Sequence, residues 1–153
     1  MKNVLTQHTT LAKSSPESIE KVQQLTDVIR EMTQLPFVTE HLLHAGMYTR
    51  TVRLPANAVC TAVLISPATV LIIAGSVDVW SNDELITVNG YNVIPGSAGR
   101  KIAFVTRTET AMSMLFPCKA TTVEEAQREF SEEHQLLPSL ALEDRHRIAI
   151  TGE

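Results

Sequence analysis

Aromatic residues are scarce in this chain. Phe, Trp and Tyr together make up 5% of its 153 residues, so aliphatic side chains must do most of the packing. Cysteine is nearly absent. Cys60 and Cys118 both sit in apolar surroundings; two cysteines make no disulfide framework and read as buried thiols acting as small hydrophobes. No stretch approaches the roughly 20 apolar residues of a membrane span, and Met1 to His8 lacks the apolar centre of a signal peptide. The expected compartment is a reducing cytoplasm. There is no excess of positive charge either. A formal net charge of −4 gives no general attraction to a polyanion, so neither DNA nor RNA is expected as a partner. Nucleophile motifs of the Gly-x-Ser-x-Gly type and phosphate-cradling glycine loops are missing. Ser97, within Pro95-Gly96-Ser97-Ala98-Gly99, has no sequence-linked base. The acids of the middle of the chain (Asp78, Asp83, Glu84, Glu109) form no convincing acid–base pair.

What is present is enough for one domain with a real core, since 44% of residues are hydrophobic. Residues 1–13 carry no period and read as loose. Residues 14–45 read as a helical N-terminal segment. Ser15 suits an N-cap, Pro16 the first helical position and Glu17 the positive end of the dipole. Ile19, Val22, Leu25, Ile29 and Met32 then form one apolar stripe at spacings of three and four, and Pro36 ends the pattern. From Gly46 the period changes to two. Residues 46–118 hold about eight short strands with turn residues between them. Val70 to Ala74 is apolar on both faces, as in a buried central strand. Asn89-Gly90 reads as a type I′ hairpin turn, because both residues tolerate positive φ. In residues 119–153, Thr122-Val123-Glu124-Glu125 is a capping-box pattern opening a second helix with a narrow stripe of Val123, Ala126 and Phe130, which ends near Leu137-Pro138. The last fifteen residues have no clear period and read as a tail, or as an arm onto a neighbouring subunit.

Charge is unevenly placed. Lys119 to Glu153 carries eight acids against four bases, whereas Gly46 to Cys118 carries five bases (Arg50, Arg53, Arg100, Lys101, Arg107) against four acids. Arg50, Arg100, Lys101 and Arg107 are the candidate anion-binding set, because guanidinium presents a planar fork that grips phosphate or carboxylate at two points. Tyr48, Trp80 and Tyr91 are the only Tyr and Trp residues, and a ring could stack on any of them. His41-x-x-His44 would share a face on a helical turn, but two imidazoles do not make a metal site.

The order Leu54-Pro55-Ala56-Asn57-Ala58-Val59, Ile73-Ala74-Gly75-Ser76-Val77-Asp78-Val79 and Ile94-Pro95-Gly96 resembles a small cupin. Gly46-Met47-Tyr48-Thr49-Arg50 before these motifs, with the basic pair Arg100-Lys101 after Pro95-Gly96, is similar to cupin-like proteins encoded by tailed phages and prophages. The resemblance spans roughly residues 39–136. It implies a mainly β fold, a cupin-like (double-stranded β-helix, jelly-roll) barrel over residues 46–118, with an N-terminal and a C-terminal helix. It also exposes a departure. Cupin metal sites take two histidines and a carboxylate from the first motif and a histidine from the second. Here Ala62 to Thr69 contains no His, Asp, Glu or Cys, and Ser97-Ala98-Gly99-Arg100 follows Pro95-Gly96 where a histidine is expected. No metal and no other cofactor is therefore expected, and Arg100 falls where a ligand would stand.

These observations favour a metal-free barrel, in a host cytoplasm if phage-encoded, that binds a small anionic molecule without turning it over. A nucleotide signal of host defence is one version, its phosphates on the four bases and its ring on Tyr48, Trp80 or Tyr91. A second expectation is a homo-oligomeric structural, virion or assembly protein without ligand, since amphipathic helices flank the barrel. A third is a metal-independent isomerase or lyase.

Overall fold

The computed structural model describes residues 9–153. Helix α1 (Pro16–Arg30) is followed by strands β1 (Thr39–His44), β2 (Met47–Leu54), β3 (Val59–Thr61), β4 (Thr69–Ala74), β5 (Val77–Ser81), β6 (Glu84–Val88), β7 (Tyr91–Gly96), β8 (Ala103–Thr106) and β9 (Thr110–Pro117). Helix α2 (Val123–Phe130), two short 3₁₀ turns and strand β10 (His146–Ile150) complete the chain. The strands form two sheets, one of six in the order β10-β1-β2-β9-β4-β7 and one of four in the order β3-β8-β5-β6. From β2 to β9 the chain passes back and forth between them, which is the jelly-roll path. The fold is thus mainly β, as the strand pattern implied, and it is a jelly-roll barrel of the cupin-like kind that the resemblance implied, with a helix at each end. No helix among the described residues is long and apolar enough to cross a membrane.

Local chemistry explains the elements. Ser15 caps α1 by accepting the backbone N–H of Ser18 at 3.1 Å, and Pro16 stands at the first position, where a missing N–H costs nothing. The two tight hairpins have residue pairs at positive φ: Ala45-Gly46 (51° and 67°) joins β1 to β2, and Asn82-Asp83 (49° and 63°) joins β5 to β6. Such pairs match the right-handed twist of the strands. Thr122 accepts the N–H of Glu125 at 3.2 Å to start α2.

The core lies between the sheets. Leu71, Ile73, Ile94 and Met112 of the six-stranded sheet meet Val77, Val79 and Phe104 of the four-stranded one. The larger sheet extends beyond the smaller, and α2 covers the surplus: Val123, Ala126 and Phe130 pack on Leu43, Tyr48 and Phe116. The stripe on α1 is only half used. Val22 is buried while Met32, just beyond the helix, is exposed.

Four sequence expectations are corrected here. Residues 14–45 are not helical throughout, because the helix stops at Arg30 and residues 39–44 are a strand with Thr39, His41 and Leu43 turned inward. The tail is anchored: β10 pairs in parallel with β1, His146 opposite Thr39. Asn89-Gly90 does not join a hairpin. It carries the chain from β6 in one sheet to β7 in the other, and the carbonyl of Gly90 accepts from the N–H of Gly75 at 2.9 Å, tying two sheet-crossing corners together. Finally, β4 buries one face only, with Leu71 and Ile73 inside and Val70 43% exposed.

Gly75 is the more constrained corner. Its φ is +146°, and an added Cβ would lie 2.4 Å from Thr110 Oγ1 and 2.9 Å from the Glu109 carbonyl, whereas a Cβ on Gly90 (φ +75°) would meet nothing. Gly90→Ala should cost about 1 kcal/mol from backbone strain alone. Gly75→Ala should cost at least about 2 kcal/mol, since strain and overlap add. Urea unfolding of both variants checks this, and equal losses would refute the assignment of Gly75 as the tight corner.

Candidate functional site

A cavity of about 510 Å³ opens between the two sheets at the end beneath α1. Its floor is the inner face of the six-stranded sheet, with Arg50 and Val52 from β2 and Met112 and Met114 from β9. Cys60, Ala62 and Phe104 form the facing wall, and Phe130, Glu133 and Leu137 close one side. Strand alternation sets this lining: Arg50 and Val52 share the inward face of β2 with Tyr48, which lies deeper, outside the cavity.

Arg50 is the one charged side chain of the floor. It is 7% exposed, it forms no ion pair among the described residues, and its Nη1 is buried without a hydrogen-bond partner. What it has instead is an aromatic face, the Phe130 ring, with the guanidinium carbon 5.8 Å from the centroid. Buried guanidinium is normally matched by a carboxylate, because an uncompensated charge out of water costs several kcal/mol.

Behind Arg50 runs a chain of hydrogen bonds: Tyr48 Oη to His41 Nδ1 (2.7 Å), His41 Nε2 to His146 Nδ1 (2.8 Å), and His146 Nε2 to the Ser139 carbonyl (3.0 Å). A carbonyl only accepts, so His146 Nε2 carries the proton. In a neutral ring Nδ1 of His146 then accepts from His41 Nε2, and His41 Nδ1 accepts from the Tyr48 hydroxyl. One acceptor thus fixes both tautomers and the direction of the whole chain. Burial, the Arg50 charge and His146 together push the His41 imidazole down to about 3. Burial also lowers His146, with the Ser139 bond opposing. The Tyr48 hydroxyl is raised by burial, against the pull of Arg50. At neutral pH the chain is uncharged, with the Arg50 guanidinium acting on its Tyr48 and His41 members and the Asp144 carboxylate acting on His146.

The remaining candidates scatter. Lys101 lines the same cavity but is already matched: its Nζ donates to Glu133 (2.9 and 3.2 Å) and to Gln23 Oε1 (2.7 Å). Arg100, expected to receive an anion, lines neither this cavity nor the outer groove beside Arg107. It is fully buried, its Nη1 donating to the Ser97 carbonyl at 3.0 Å and its Nη2 to Thr69 Oγ1. Its guanidinium lies against Gly96, where a Cβ would fall 2.5 Å from Cζ, so it clamps the end of β7 to the start of β4. Burial lowers its pKa to about 10, which leaves it charged at neutral pH. Arg107 is on the outside, ion-paired with Asp78, and shares with Trp80 a separate groove of about 620 Å³ between α1 and the outer face of the four-stranded sheet. Tyr48 is fully buried and lies outside the cavity lining; Tyr91 is 70% exposed, on the outer face of the six-stranded sheet. The structure therefore joins Arg50 and Lys101 in one cavity and leaves Arg100, Arg107, Trp80 and Tyr91 elsewhere. His41 and His44 lie on a strand three residues apart, so they face opposite ways, and only His41 is buried. Sequence reasoning missed Phe130, Glu133 and His146. His146 is 105 residues from its partner His41, a separation no local pattern spans.

The donor set does not fit the metal that cupin barrels commonly hold. No group of three His, Cys, Asp or Glu converges among the described residues. The cavity presents a guanidinium, which repels a cation, and a Cys60 thiol whose pKa burial raises to about 11, so that it stays neutral. Glu133 is already taken by Lys101.

No protein-family model and no curated protein sequence matches the chain. Solved structures of similar fold include a cupin-2 domain containing protein from Shewanella frigidimarina, 15% identical over 61% of this chain and 91% of that one, TM-score 0.41. Another is the cupin-2 domain of an XRE family transcriptional regulator from Enterobacter cloacae, 11% identical over 53% of this chain and 96% of its own, TM-score 0.42. A third is salicylate 1,2-dioxygenase from Pseudoaminobacter salicylatoxidans, 12% identical, with 76% of this chain against 39% of the enzyme, TM-score 0.45.

The histidine chain predicts an acid-labile fold. A group whose folded pKa is depressed contributes stability that is full above its unfolded value, near 6.5, and is lost as pH falls toward the folded value, near 3. Between pH 7 and pH 5, His41 alone should cost about 2 kcal/mol. Urea midpoints measured across that range should fall, and His41→Gln should flatten the decline; an unchanged slope would contradict the neutral assignment.

Proposed function

We propose that this chain is a binding barrel that holds a small anion on Arg50 without a metal. The observation that carries the reading is the Arg50 guanidinium, 7% exposed, with a buried unpartnered Nη1 on the floor of a cavity of about 510 Å³. That volume suits a small-molecule ligand, and a bidentate oxyanion would satisfy the donor that the protein leaves free. Lys101 contributes less, since Glu133 already neutralises it.

The finer version, a phage-encoded barrel that sequesters a nucleotide signal of host defence, rests on the sequence resemblance alone. The cavity lends it little: one buried cation without an ion pair among the described residues, with Arg30 out at the exposed end of α1, is a poor match for a polyphosphate, and a ring would have to stack on Phe130 rather than on Tyr48. The isomerase or lyase version needs an acid and a base facing the ligand, and the Tyr48–His41–His146 chain lies behind Arg50 instead.

The oligomer version has an observation of its own. On the outer face of the six-stranded sheet Val70, Tyr91 and Val93 are all exposed, and Ile72 and Leu115 lie on the same face. Apolar surface of this kind suits a self-association surface. Sedimentation velocity over a concentration series should show a species larger than one chain; a single monomer boundary throughout would remove this version.

For the binding reading, thermal-shift titrations at fixed ionic strength should show the wild type stabilised by an organic anion, Arg50→Met not stabilised, and Arg107→Ala stabilised like the wild type. Retention of the shift in Arg50→Met would overturn it. Arg100→Ala should lower the melting temperature without any anion, by about 2 kcal/mol or more of lost stability, because its bonds hold two strand ends rather than a ligand.

A further inference from the structure

Resting on that reading, we infer that the anion is the head of an amphipathic monocarboxylic acid whose apolar body runs from Arg50 to the mouth beneath α1. Three features lead to this. The first is charge. Four charged residues line the cavity, Arg30, Arg50, Lys101 and Glu133. Lys101 and Glu133 cancel in a 2.9 Å ion pair, and Arg30 sits on the exposed end of α1. One deep cation is left unmatched. It suits a head of one negative charge, and a carboxylate offers two coplanar oxygens to the guanidinium fork. A phosphate monoester, with a charge near −1.5 to −2 at neutral pH, would need further donors that the floor does not supply.

The second feature is the wall. Met114 stands opposite Arg50 and Met112 opposite Val52 across the β2–β9 pair, and Ala62 and Phe104 also line the cavity; none of these apolar side chains brings a strong hydrogen-bond donor or acceptor. On the α1 side Thr26 donates its hydroxyl proton to the Val22 carbonyl at 2.8 Å and accepts from Thr61 at 2.8 Å, so both protons are spent; Thr33 stands out at the exposed rim. A sugar or a polar ring would leave its own groups unpaired there, at a desolvation cost of roughly 1–3 kcal/mol for each. Two methionines on the floor add an adaptable surface that accepts aliphatic or aromatic bodies.

The third feature is the rim. Met32, Leu35 and Leu136 line the cavity and are nonetheless 62%, 53% and 43% exposed. Apolar residues left in water at the mouth extend the apolar wall outward in continuity with the interior. A long acid would bury them, and its far end would emerge between the segment after α1 and the 3₁₀ turn at His134–Leu136. The passage from a single buried cation at the floor to exposed Met32, Leu35 and Leu136 at the mouth, where Arg30, Thr33 and Gln34 supply a wet polar edge, is that of an amphiphile.

Calorimetric titration of the full chain with decanoate, naphthalene-2-carboxylate, decanol, inorganic phosphate and ADP tests this. The expected result is binding of both carboxylates at about one per chain, with phosphate and ADP silent. Arg50→Met should weaken the carboxylates by roughly tenfold or more while leaving decanol unchanged. Met32→Lys, at the exposed rim, keeps the test meaningful should Arg50→Met fold poorly: it should weaken decanoate more than naphthalene-2-carboxylate. Binding of phosphate or ADP without either carboxylate would overturn this inference and leave the anion reading standing. Equal binding of decanoate and decanol, indifferent to Arg50→Met, would overturn both, as would the absence of any binding.

Discussion

A guanidinium taken out of water without a carboxylate is costly, and the inside of this barrel is arranged around that cost. Arg50 cannot turn outward, because strand alternation fixes it between Tyr48 and Val52 on the inward face of β2. Its compensation is partial. The Phe130 ring offers its negative face, and the Tyr48 oxygen, with its proton directed at His41, turns lone-pair density to the same side. Neither carries a formal charge. Among the described residues no carboxylate matches the cation, while in the same cavity Glu133 is spent on Lys101. Nature of the pairing matters more than number of charges: two cations face the cavity floor and wall, and only one of them is available.

The surroundings keep Arg50 in that state. The six-stranded sheet is wider than its partner, so α2 rather than a strand roofs β1, β2 and β9, and this brings Phe130 over Arg50. The same surplus width lets β10 add to β1, which places His146 beside His41 and ends the hydrogen-bonded chain on the Ser139 carbonyl. Because that chain must be neutral to keep its direction, it supplies no anion to Arg50. The C-terminal segment is therefore tied to the electrostatics of the site, although it begins as a tail without periodicity in the sequence.

Local rules made much of the fold legible. Ser15-Pro16 and the three-and-four spacing announced α1, Thr122 with Glu125 announced α2, and the period of two announced the strands from Gly46. Long-range pairing was less visible. Asn89-Gly90 has the right residues for a turn, but which strands it connects depends on the sheet each joins. Strand β1 escaped notice because its inward residues include Thr39 and His41, polar side chains that interrupt the apolar alternation. Among the site residues, Arg50 was legible as a residue type suited to an anion. Arg100 was misplaced because a Pro-Gly motif locates the backbone, not the direction of the side chain; the bare Cα of Gly96 is what lets that guanidinium fold inward. Trp80 and Arg107 lie on an outward face, where neither spacing nor composition distinguishes a groove from a cavity. Phe130 read as part of a helix stripe, which it is, and its second role over Arg50 needed the sheet widths.

The most direct measurement is native mass spectrometry of freshly purified wild type and Arg50→Met, followed by denaturing analysis of what is released. The account predicts an organic acid carried by the wild type at about one per chain and missing from the variant. A divalent metal, or a neutral compound held equally by both proteins, would contradict it.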